Sequence, residues 1–146
     1  MFVLNADGQL LNFIYQNSQM GVTTLTQLLP MIEDEQLEKQ LSAQLSEYRE
    51  FHDKAAKLLE KSGKDEKGLS AMEKIRTYLM INMQTITDKS ASHIAEMVMI
   101  GSNMGVIDAV KNINRYKDKA SSDVVALMQR LKEFEENNIE RLKKFL

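Results

Sequence analysis

Cysteine is absent from the 146 residues. That excludes disulfides, thiolate metal sites and cysteine nucleophiles, and it fits a reducing, cytoplasmic compartment. Tryptophan is also absent, and the formal charge is −2 with both signs interspersed. With no basic face, nucleic acid is not an expected partner. One proline and six glycines leave long stretches without a breaker. Alternating β-branched runs are missing as well, so helix is expected throughout. No apolar run suits a bilayer: the most apolar window, Ile94 to Val110, is interrupted by Glu96, Asn103 and Asp108. The first eight residues, Met1 to Gly8, lack the basic region and long apolar core of a secretory leader. Neither Gly-x-Gly-x-x-Gly nor Gly-x-Ser-x-Gly occurs, so the expectation is a non-enzymatic protein without a cofactor. At this length folding buries roughly 70% of the unfolded chain's surface, enough for one core without staples. A single domain over residues 1–146 is expected.

What is present is an internal echo. Ser18-Gln-Met-Gly21-Val22 returns as Ser102-Asn-Met-Gly105-Val106, 84 residues later. At the same offset Asp34 aligns with Asp118, and after a slip of two residues Leu45-Ser-Glu47-Tyr48-Arg-Glu50 aligns with Leu131-Lys-Glu133-Phe134-Glu-Glu136. Residues from about 9 to 62 and from about 89 to 146 therefore read as two copies of one helical hairpin. Such a unit cannot bury its apolar stripe alone, whereas two copies give four helices around one core.

The periodicity places each helix. Asp7-Gly8 is a start signal, and the first helix runs to about Leu29 with Leu11, Ile14, Ser18, Gly21, Leu25 and Leu28 on one face. Pro30 cannot continue a helix interior, so the turn falls between Leu29 and Asp34. The second helix opens with Asp34 and Glu35, which suit the positive end of the dipole. It carries Leu37, Leu41, Leu45, Tyr48, His52, Ala55 and Leu59 to a stop at Ser62-Gly63. Met1 to Leu4 suggest a short apolar arm, and Lys64 to Gly68 a polar loop. Ser70 and Glu73 have capping-box spacing. They open a crossover helix over about 70–84, with Met72, Ile75, Leu79 and Met83 on one side. Thr85 to Asp88 supply side chains that can cap a third long helix, with Ile94, Val98, Gly101, Gly105, Ala109 and Ile113 inward. Ser121, Ser122 and Asp123 are candidate caps for a fourth, with Val124, Leu127, Met128, Leu131, Phe134, Asn138, Leu142 and Phe145.

Hairpin, crossover and second hairpin form the ferritin-like arrangement. The chain resembles small bacterial members of that superfamily. They are anaerobe proteins sharing a Met-Gly in the first helix, an acidic turn after it, and a segment like Thr-x-x-Ser-x-x-Ile-Ala-Glu-Met before a second Met-Gly. Here that segment is Thr87-Asp-Lys-Ser90-Ala-Ser-His-Ile94-Ala-Glu96-Met97. The resemblance spans nearly the whole chain and implies an all-α four-helix bundle far more strongly than any activity.

Catalytic ferritin-like proteins hold metals with carboxylates from the first and third helices and Glu-x-x-His from the second and fourth. Here the two Glu-x-x-His positions read Arg49-x-x-His52 and Glu135-x-x-Asn138, and no acid lies between Gly8 and Ile32. A reduced ligand set would have to come from His52, Glu96 and Glu135. Arg49 would set a positive charge beside any cation, so no bound metal is the leading expectation. His52 and Asn138 then read as buried polar residues bonded to neighbours such as Tyr15 or Tyr48. Arg49, Glu47, Glu50, Glu133 and Glu136 read as solvated surface charge, and His93 as exposed. Gly21 and Gly105 each cost roughly 1 kcal/mol of helix stability against alanine. A close crossing of the first and third helices there, filled beside by Met20 and Met104, would offset that. The expected role is structural or one of protein interaction, as a homodimer or with another protein. A divergent metal-binding oxidase or storage protein, and a binder of small apolar ligands in the bundle core, in room left by the glycines near Gly21, are the alternatives.

Overall fold

A computed structural model describes residues 5–61 and 72–146. Among these there are five α-helices and no strand: α1 (Ala6–Leu28), α2 (Glu35–Lys61), α3 (Glu73–Gln84), α4 (Ala91–Tyr116) and α5 (Ser122–Leu142). The arm at 1–4, the stop at Ser62-Gly63, the polar loop and the Ser70 cap lie outside the described residues.

The helix starts follow local hydrogen-bond chemistry. Asn5, not Asp7-Gly8, caps α1: its side chain accepts from the Gly8 N–H at 2.8 Å. Asp7 instead reaches across the molecule and accepts from the Ser121 N–H at 2.7 Å, tying the start of α1 to the start of α5. Pro30 sits in a single 3-10 turn, Leu29–Met31, after which the Asp34 carboxylate accepts from Leu37 N–H at 2.9 Å and opens α2. For α4 the cap is Ser90, which accepts from the His93 N–H at 3.2 Å, rather than the Thr85–Asp88 stretch. Asp88 serves one step back, accepting from the Ser90 N–H at 2.9 Å.

The turn at 29–34 folds α2 back along α1, and the turn at 117–121 folds α5 back along α4. α1 also packs on α4 and α5, α2 on α5, and α3 lies chiefly against α4. Spacings of three and four put the predicted stripes inside: Leu11, Ile14, Leu25 and Leu28 on α1, Leu37, Leu41, Tyr48 and Leu59 on α2. Ile94, Val98, Ala109 and Ile113 on α4 meet Val124, Leu127, Leu131 and Leu142 on α5 in the same core.

The helical glycines mark close approaches, but not all at the predicted place. A Cβ on Gly21 would lie 2.6 Å from the ring of Tyr48. Gly21 therefore seats an α2 side chain rather than the α4 backbone. Gly105 does lie where α1 nears α4: a Cβ there would stand 3.1 Å from Asn17 Oδ1 and 3.3 Å from Glu135 Oε2, while one on Gly101 would meet Leu79 of α3. Met20 and Met104 are half-buried and pack against the core. Gly21→Ala should lower stability by about 1–3 kcal/mol through overpacking against Tyr48, although helix propensity alone would raise it by about 1 kcal/mol. Urea unfolding of the variant gives the sign, and an unchanged or higher midpoint would contradict the contact.

Candidate functional site

The described residues converge on Glu135. Its side chain, 4% exposed, projects from α5 into the space between the four long helices. α1 supplies Asn17, whose Nδ2 donates to Oε2 at 3.3 Å. α2 supplies the Tyr48 hydroxyl, which donates to Oε1 in the shortest contact of the cluster. α4 supplies Ser102, whose Oγ lies 3.5 Å from Oε1, and α5 itself returns Asn138, with Nδ2 at 3.4 Å. Spacing explains the last contact, because residues three apart share a helix face. Tyr48 is held in turn by the edge of Phe134, ring centroids 4.9 Å apart, and by the seat at Gly21.

All four donors are neutral. Burial pushes the Glu135 carboxyl above its ordinary range, and the hydrogen bonds from Tyr48, Asn17, Asn138 and Ser102 only partly oppose it. No cationic group contributes. Burial first, and then the neighbouring Glu135, raise Tyr48 well above the usual phenol value, so this hydroxyl stays a donor. Asn17 Oδ1 and Asn138 Oδ1 are buried acceptors without a hydrogen bond among the described residues. A protonated carboxyl brings one O–H donor to a cluster with acceptors to spare, whereas a carboxylate brings none. The remaining room, bounded by Asn17, Gly21, Tyr48, Ser102 and Glu135 among others, is about 30 Å³. That is the size of one water, so no apolar chamber opens at Gly21.

The other predicted ligands lie elsewhere. His52 is half-buried and its ring lies 4.4 Å from that of Tyr15, with Nδ1 3.9 Å from Asp53. It does not bond Asn138, which is committed to Glu135. Glu96 is exposed, on a shallow outer depression with Ile100 and Ile139. His52, Glu96 and Glu135 are thus not brought together, and among the described residues no group of three or more histidine, aspartate or glutamate side chains is placed to hold a metal. Arg49, Glu47, Glu50, Glu133 and Glu136 are exposed, as their register predicts, and Glu136 pairs with Lys132 at 3.1 Å. His93 is half-buried rather than exposed.

Sequence reasoning weighed Glu135 as a ligand but missed Asn17 and Ser102 as its partners. The available signal was the polar run Gln16-Asn17-Ser18 between the stripe positions Ile14 and Gly21; all three residues are buried. No family model, no curated protein and no solved structure matches the chain.

The raised carboxyl links stability to pH. Folding favours its protonated form, so its contribution is complete below the ordinary glutamate range and is lost as pH rises through the elevated folded value. Glu135→Gln should abolish that loss while keeping an acceptor for Tyr48. Urea unfolding from pH 5 to 8 should show the wild type weakening relative to the variant; parallel curves would contradict the assignment. Tyr48→Phe removes one donor from a buried acid and should cost about 1–3 kcal/mol, read in the same assay.

Proposed function

We propose that the chain is a ferritin-like four-helix bundle of two repeated hairpins. In it a structural polar centre replaces the di-metal site, and its role is scaffolding or protein interaction rather than catalysis. The observation that carries this reading is the occupancy of Glu135: both oxygens already accept hydrogen bonds from Tyr48, Asn17, Asn138 and Ser102. A di-metal centre needs several carboxylates to offset its charge. Here one acid, its carboxyl pushed above the ordinary range by burial, stands among amides and hydroxyls. The residues do not fit that group.

The repeat supports the same reading. The counterpart of Glu135 in the first hairpin is Arg49, which is exposed, and the counterpart of Asn138 is His52. Ser18 and Ser102 are equivalent residues of the echo, yet they do different work. Ser102 reaches Glu135, whereas Ser18, with no acid opposite it, folds its hydroxyl back onto the Ile14 carbonyl at 2.6 Å. Only the second hairpin contributes an acid to the centre.

Metal analysis of untagged protein, before and after incubation with ferrous iron and manganese, tests the proposal. The expected result is no stoichiometric metal and an unchanged melting temperature. Stoichiometric metal that falls in Glu135→Gln or His52→Ala would overturn it.

A second reading has one observation in its favour. A cavity of about 240 Å³ between α1 and α3 is lined by Met20, Met72, Met80 and Met83, with Arg76 also on its wall. Flexible thioethers adapt to irregular apolar shapes, and a single guanidinium suits a small amphiphile with an anionic head. Decanoate should raise the melting temperature if this cavity binds it, and Arg76→Gln should reduce the rise. No shift with decanoate removes this reading.

A further inference from the structure

α4 is apolar on two opposite faces, and only one of them faces the core. Ile94, Val98, Gly101, Gly105, Ala109 and Ile113 are buried. Roughly 180° around the helix, Ile100 and Ile107 are 40% and 48% exposed, with Val110 beside them at 37%. Ile100, Asn103, Ile107, Val110 and Asn114 recur at spacings of three and four, the seam pattern of paired helices. β-Branched residues do not favour helix, so isoleucine and valine on a solvent face are not there to form α4. The stripe widens onto a shallow depression of about 370 Å³, whose walls include Met99, Met104, Ile139 and Leu146.

We infer that this face binds a second copy of the chain through antiparallel pairing of α4 with α4. The identity of the occupant comes from self-complementarity. A two-fold axis beside the Asn103–Met104 peptide sets Ile100 against Ile107 of the second copy, and Ile107 against its Ile100. The same axis sets Glu96 against Lys111 of the second copy, and Lys111 against its Glu96. Both residues are exposed, and neither has an ion pair among the described residues. One register therefore matches the apolar pair and both charge pairs at once, over about 22 Å of helix. A parallel pairing would set Glu96 against Glu96 and Lys111 against Lys111. Asn103 at the axis is the polar residue that fixes register in such seams.

This gives the interaction reading its partner and rests on it for biological sense, yet the two fail separately. Glu135 lies on the inner side of α4, and a monomer without metal removes the dimer alone.

Sedimentation equilibrium from about 1 to 200 µM, a range that brackets micromolar association, provides the test. The wild type should be a dimer, and Ile107→Lys a folded monomer by circular dichroism. Glu96→Lys and Lys111→Glu should each weaken association by on the order of tenfold, and the double exchange should restore it. Because the chain has no cysteine, Asn103→Cys supplies a unique thiol that should oxidise to a linked dimer, whereas Lys61→Cys should not. A wild type that stays monomeric overturns the inference, as does a dimer indifferent to Ile107→Lys. A double exchange that fails to restore association overturns the antiparallel register.

Discussion

One buried acid sets the terms for the rest of the structure. Leaving a carboxyl without hydrogen bonds in an apolar interior costs several kcal/mol, so Glu135 must be met from all sides. Each long helix contributes: Asn17 from α1, Tyr48 from α2, Ser102 from α4, and Asn138 from α5 itself. The glycines follow from the same requirement. Gly21 leaves room for the Tyr48 ring, and Gly105 leaves room for Asn17 beside Glu135. Two residues that weaken their helices locally thus permit a contact that joins all four. A polar network of this kind specifies one arrangement of the helices more sharply than apolar packing, which tolerates many substitutions of similar volume.

The network also bears on chemistry. A metal ligand must offer lone pairs to the ion, and a catalytic acid must reach a substrate. Glu135 does neither freely, because neutral donors occupy its oxygens and little more than a water's volume remains beside it. On the proposed reading, function then lies at the surface. α4 illustrates the division. Its inner face carries Ser102 and Gly105, which border the polar centre, and its outer face carries isoleucine and valine in water.

Much of the architecture was legible in the sequence because burial follows periodicity. The stripes on α1, α2, α4 and α5 point inward nearly residue for residue, and Pro30 falls in the turn. Arg49 faces solvent because it lies between the stripe positions Tyr48 and His52, off their face. The capping residues were less legible. Asn5 and Ser90 compete with several nearby side chains of equal capping ability, and only the geometry of the entering chain selects one. The partners of Glu135 were least legible. Asn17 and Ser102 are buried because they answer an acid 118 and 33 residues away, and no local pattern encodes such a distance. Gly21 was read as small for a helix and proved small for a ring, a difference that depends on the rotamer of Tyr48.

The central claim is that Glu135 is a buried structural hub, its carboxyl pushed up by burial and held by neutral donors, rather than a metal ligand. Carbon-13 NMR titration of the side-chain carboxyls tests it most directly, with the Glu135 signal assigned by its disappearance in Glu135→Gln. The account predicts that Glu135 gains and loses its proton at a higher pH than every exposed glutamate, and that manganese does not broaden its signal. A carboxyl that titrates with or below the others, or that manganese broadens at stoichiometric amounts, would contradict the account.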